Sequence, residues 1–167
     1  MLKSIPVLII SLIFYGTLHA QQPDSTLKKS TVKSLTDKQY NALLKGEDLY
    51  GMPLVAELNH FPMPDKVIKY KKELDLSPVQ ITKISVIATE LHRKRVEMGG
   101  FIITNEETLD KLFRKQSLNN GDVIFYANRS GLYYGELRNA ILQACLSTGD
   151  LLAPQQIKKL ETLQNRN

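Results

Sequence analysis

Side chains that bind metals or drive catalysis are sparse in this chain. Beyond residue 20 they come down to His60, His92, the single Cys145 and a few carboxylate clusters. A transition-metal site needs several such ligands converging, commonly two of them three or four residues apart on one helix. Neither histidine has a partner of that kind. Met98 lies six residues after His92, Glu90 two before it and Glu97 five after it, while Pro62 interrupts the three-residue interval from His60 to Met63. A site built from His60, His92 and Cys145 therefore needs the fold to gather three distant positions, and a divalent transition metal is the cofactor of that reading. Without it, no cofactor is expected. Cys145 falls near the core seam of an expected helix, where a buried, inert thiol is the commoner fate. Catalytic chemistry has still less to work with. The histidines stand in no nucleophile or general-base motif, and Asn128-Arg129-Ser130 matches no phosphate-cradling loop. The Glu106-Glu107-Asp110 cluster sits at an expected helix start, where it would complement the helix dipole. The residues point away from an enzyme.

A second chemistry is adaptable contact with other polypeptides, which suits methionine and aromatic side chains. Met98, Phe101, Ile102, Ile103, Phe113, Phe125, Tyr126, Tyr133 and Tyr134 exceed what one helical seam can bury. Tyr133 and Tyr134 are adjacent, so one faces away from whatever the other packs on. Arg95, Arg129 and Arg138 add positive charge on the same stretches. The candidate face for a client or partner protein is Met98, Phe101, Phe113, Tyr126, Arg129 and Tyr133. A plain core with a dimer interface would use these same residues.

The elements that must position them announce themselves through a repeated helix start. Leu35-Thr36-Asp37-Lys38-Gln39, Leu76-Ser77-Pro78-Val79-Gln80 and Leu152-Ala153-Pro154-Gln155-Gln156 share an apolar residue, a cap position, two variable residues and a glutamine. In a capping box the Ser or Thr oxygen accepts an orphan amide, and the Gln reaches back to the cap's own N–H. Pro78 and Pro154 occupy the first helical position, where a missing N–H costs nothing. The third copy has lost its side-chain cap to Ala153.

Between these starts the pattern is helical, and no period-two run of β-branched residues occurs. A short helix follows Thr36 and ends near Gly46. Residues 50–64 hold three prolines and a glycine among apolar residues, which predicts an irregular segment wrapped over a core. Asp65 is placed to cap a helix reaching about Leu74. The stripe Ile81, Ile84, Ala88, Leu91, Arg95, Met98 predicts a long helix from Ser77, stopped by Gly99-Gly100. Thr104 and Glu107 form a further capping box, predicting a separate helix toward Ser117. After an Asn119-Asn120-Gly121 turn, a second long helix is expected from Asp122 to about Ser147, seamed by Ala127, Ser130, Tyr134, Leu137, Ile141 and Ala144. Gly131 and Gly135, four apart in it, would permit close approach of another helix or a bend, or be local flexibility that strong tertiary packing tolerates. A last helix carries Ile157, Leu160 and Leu163.

The first twenty residues read as a secretory signal peptide: Lys3, then an apolar stretch from Ile5 to Leu18, then His19-Ala20-Gln21. The alternative, an uncleaved anchor, is disfavoured because the stretch is shorter than the roughly 18–20 residues of a spanning helix and contains Pro6. Cleavage implies export, with no stable membrane insertion afterwards. Residues 21–34 are expected to be a flexible polar tether, and 35–167 one domain. Removing 20 of 167 residues leaves 147, with 21 basic against 17 acidic side chains and a net charge of +4. That mild excess is no nucleic-acid footprint. One cysteine allows no internal disulfide, so helix packing or pairing with a second copy must hold the domain.

The helix starts, together with Gly51-Met52, Ala56-Glu57-Leu58-Asn59 and Pro62-Met63-Pro64 just ahead of the second one, make residues 35–163 resemble the Spy/CpxP group of periplasmic proteins. That group shares its plan with periplasmic heavy-metal sensor and resistance proteins. The resemblance implies an all-α bundle of about four to five helices on a long, curved antiparallel hairpin. It also implies a homodimer in many members. The function it implies is a periplasmic, ATP-independent chaperone or stress-response regulator that binds unfolded or partner proteins. The alternative is a heavy-metal-binding sensor or resistance protein. This chain departs from the pattern at Ala153, and at Lys66, where the members compared tend to have a histidine.

Overall fold

The computed structural model describes residues 27–165. The signal-peptide reading of residues 1–20 and the first part of the expected tether lie outside them. Six helices and no strand occur among the described residues: α1 (Asp37–Lys45), α2 (Leu54–Glu57), α3 (Pro64–Lys69), α4 (Pro78–Arg114), α5 (Asn120–Gly149) and α6 (Pro154–Gln164). The all-α expectation holds.

The repeated signature starts α1, α4 and α6. The Thr36 hydroxyl accepts from the Gln39 amide at 3.2 Å while the Gln39 side chain accepts from the Thr36 amide at 3.0 Å. Ser77 and Gln80 repeat the exchange at 3.2 and 2.9 Å. At Ala153 only the returning half survives, its amide donating to Gln156 at 2.9 Å. The leucines ahead of the three caps, Leu35, Leu76 and Leu152, are all buried, which anchors each incoming chain as a hydrophobic staple would.

Helices α4 and α5 pack along each other. Gln80 at the start of α4 donates to the Leu151 carbonyl just past α5, and Phe101 midway stacks against Tyr133. The buried positions Ile84, Leu91, Met98 and Asn105 of α4 recur every seven residues, the interval of a lengthwise seam. Leu137, Ile141, Ala144 and Thr148 face them from α5. One core joins this seam to Val32, Leu35, Tyr40, Leu43 and Met63. A second joins Val67, Leu74, Leu76, Ile84, Leu152 and Leu160 where α3, α4 and α6 meet.

Several boundaries depart from the sequence reading. Gly99 and Gly100 do not stop the first long helix, which runs on to Arg114 and is 37 residues long in all. A side-chain carbon on Gly99 would stand 2.1 Å from the Leu43 carbonyl oxygen. The glycine lets the backbone of α1 rest against α4, and Ile102 and Ile103, both buried just beyond, hold the helix through it. Thr104 and Glu107 therefore start nothing; Thr104 is an interior residue whose carbonyl accepts the Thr108 hydroxyl. Asp65 is not a cap, because Met63 holds that position and Pro64 opens α3, which ends at Lys69. Asn119 and Asp122 cap each other's amides and start α5 at Asn120. Gly131 and Gly135 face open space rather than a neighbouring helix. The polar segment expected to be flexible is held from its first described residues. Val32 is wholly buried, Asn41 exchanges two hydrogen bonds with the Lys28 backbone, and Asp37 accepts from the Ser30 amide. Its hydroxyls satisfy the acidic cluster of α4, Thr31 on Glu107 at 2.5 Å and Ser34 on Glu106 at 3.0 Å. With no helix start there, those hydroxyls and the Asp110–Arg114 ion pair at 2.7 Å replace the dipole explanation.

Candidate functional site

The far end of the α4–α5 pair is unlike the rest of the molecule. From Glu106 to Glu136, through the end of α4, the turn and the first half of α5, not one residue is buried. The stretch is helical because local interactions hold it. The Asn119–Asp122 box caps α5, and Asp110–Arg114 pairs one turn apart. Arg129 lies over Phe125 at 5.1 Å and over Tyr133 at 5.4 Å. Its Nε also donates to the Tyr133 hydroxyl at 2.9 Å, as does Nη2. Such stacking holds a cation on aromatic faces while leaving its other donors free.

Phe101 and Phe113 are exposed, as are Val123, Ile124, Phe125 and Leu132. Phe101 meets Tyr133 at 5.3 Å between ring centroids, and Phe125 meets Tyr126 edge to face at 5.1 Å. Asn105, buried at the root of this arm, donates to the Tyr126 carbonyl and the Ser130 hydroxyl. It ties the two helices together where the core stops.

Of the six positions proposed for a client face, five lie on or beside this arm: Phe101, Phe113, Tyr126, Arg129 and Tyr133. Met98 does not. It is 8 % exposed and packed in the core, because it lies on the seven-residue seam facing α5. Ile102 and Ile103 are buried in the same core. Tyr134 turns the other way from Tyr133, edge to face with Tyr50; burial and Tyr50 together raise its pKa. Val123, Ile124 and Leu132 were not singled out from sequence. The signal was there, since Val123-Ile124-Phe125-Tyr126 puts four apolar residues in succession on a helix and one seam cannot hide them all.

The metal candidates are not gathered. His60, at a positive φ of 69°, contacts Glu161 of α6 through Nδ1 at 2.5 Å. Exposed His92 lines a cleft beside Arg95. Cys145 is wholly buried, its Sγ 3.3 Å from the Met63 sulfur, and burial pushes its thiol up to about 11. Among the described residues no group of three or more His, Cys, Asp and Glu is placed to hold a metal ion. No helix among them is long and apolar enough to cross a membrane.

Fold and arm together define an all-helical protein with a core at one end and an uncovered aromatic arm at the other. No protein-family model, curated protein or solved structure matches the chain.

Proposed function

We propose that the chain is an exported, non-enzymatic binding protein of the Spy/CpxP type, whose α4–α5 arm engages apolar segments of unfolded or partner polypeptides without a nucleotide cycle. In this reading α4 and α5 are the antiparallel hairpin of that plan, and residues 1–20 deliver the protein to the periplasm.

One observation carries the proposal: a two-helix arm with no buried residue of its own that keeps several large apolar side chains in solvent. Contiguous exposed apolar surface of this kind marks interaction sites. Arg129, stacked on Phe125 and Tyr133, supplies a cation beside these rings. Acidic client segments would be drawn to it, and the rings would then cover apolar ones.

The test is suppression of aggregation of a chemically unfolded client on dilution, comparing the wild type with a Phe101→Ser/Phe125→Ser/Leu132→Ser variant. These side chains are exposed, so circular dichroism should stay unchanged while suppression falls several-fold. Equal suppression by both proteins, or none by the wild type, refutes the proposal.

A further inference from the structure

A second feature of the molecule, apart from the arm, is an open cleft beside the middle of α4. The connection after α1, the short α2, the start of α3 and the middle of α4 enclose an open cleft of about 490 Å³. That is within the range of small-molecule sites. Arg95 of α4 lines it, and Gly46 lies so close that a side-chain carbon there would be 2.9 Å from the Arg95 Cβ. The Arg95 side chain is partly buried and its Nε is enclosed with no partner. Among the described residues its guanidinium makes one weak contact, Nη2 to the Met63 sulfur at 3.9 Å, and no ion pair holds it.

Several of the other charges in the cleft are occupied. Lys66 pairs with Glu57 at 2.5 Å. Asp48 accepts the Tyr50 and Met52 amides, each at 3.1 Å. Glu47 is exposed and has no such partner among the described residues. An enclosed guanidinium nitrogen without an acceptor is costly, and the group's planar fork matches a carboxylate through two parallel hydrogen bonds. The cleft as a whole counts four carboxylates (Glu47, Asp48, Glu57, Asp65) against the three cations Lys45, Lys66 and Arg95. That surplus repels a dianion and suits a ligand bringing its own positive charge.

We propose that this cleft binds a compact zwitterion, a free amino acid or short peptide, with its carboxylate on Arg95 and its ammonium toward Glu47. The reading is independent of the arm, since it rests on residues the arm does not contain. Thermal melts of the signal-free protein would be run with each of the twenty amino acids, the dipeptide Ala-Ala, acetate and inorganic phosphate at millimolar concentration. At least one zwitterion is expected to raise the melting temperature by about 3 °C, with acetate weaker and phosphate ineffective. Comparison of the single amino acids with Ala-Ala tells the free monomer from the peptide. Arg95→Gln should abolish the shift. Glu47→Gln, at an exposed position that leaves the fold alone, should weaken the zwitterion and strengthen acetate, so the proposal remains testable if Arg95→Gln does not fold. No shift with any zwitterion, a shift that survives Arg95→Gln, an unchanged preference in Glu47→Gln, or phosphate outperforming the amino acids would each overturn it.

Discussion

Glycine in this chain has two opposite meanings, and only the neighbours of each one tell them apart. Gly99 is held against the Leu43 carbonyl, whereas Gly131 stands in open space halfway along an exposed helix face. Gly99→Ala should lower unfolding free energy by about 2–4 kcal/mol, because a backbone atom cannot swing aside as a flexible side chain would. Gly131→Ala should raise it by about 0.5–1 kcal/mol through helix propensity alone. Urea titrations of the two variants check both signs. Cys145 makes a pH-dependent contribution of similar local origin. Its thiol, ordinarily near 9, is raised to about 11, first by burial and then by Glu57. The folded state therefore holds the proton more tightly than the unfolded one. The resulting stability is fully present below pH 9 and is lost as pH rises toward 11, amounting to on the order of 2 kcal/mol. Cys145→Ala should flatten that part of the stability-against-pH curve, and an equally steep fall in the variant would contradict the assignment.

At the scale of elements, the repeated signature does more than start helices. The Gln80 side-chain Nε2 donates to the Leu151 carbonyl at 2.8 Å and to the Gln156 Oε1 at 2.9 Å, while Gln156 Nε2 donates to the Leu74 carbonyl at 3.2 Å. Two copies of the motif, 76 residues apart, thus clasp the starts of α4 and α6 together. A double-mutant cycle of Gln80→Ala and Gln156→Ala should show a coupling of about 0.5–1.5 kcal/mol, since each change removes the other's partner. Gln39 closes a box of the same form but faces Tyr50 instead, at 3.4 Å. Gln39→Ala should combine additively with Gln156→Ala.

Across the whole molecule, stability is distributed unevenly. Both cores lie where α1, α3 and α6 meet the α4–α5 pair, and none extends past Asn105. Amides with few buried contacts around them open at low free-energy cost. Hydrogen exchange should therefore be fastest between about residues 110 and 130 and slowest around Ile84–Ile103 and Leu137–Thr148. Uniform protection along α4 and α5 would mean that the arm is covered, by a second copy or by another partner. The same measurement with a bound client should raise protection in the arm and leave the cores as they were.

The helical class, the three principal helix starts and the leucines that staple them could be read from the chain, because caps and periodicity are short-range physics. Five of the six residues named for a binding face fall on or beside the arm for a related reason: more apolar side chains crowd that stretch than one seam can bury. What needed tertiary structure was everything set by a distant neighbour. Whether Gly99-Gly100 ends a helix or seats one depends on the Leu43 carbonyl, 56 residues away in the chain. Whether residues 27–34 hang free or dock depends on Asn41, Glu106 and Glu107. Whether Met98 faces a client or the core depends on which side of α4 meets α5. Local sequence sets how each segment prefers to fold; which faces then lose their water is decided only when the segments meet, because burial belongs to the pair and not to either partner.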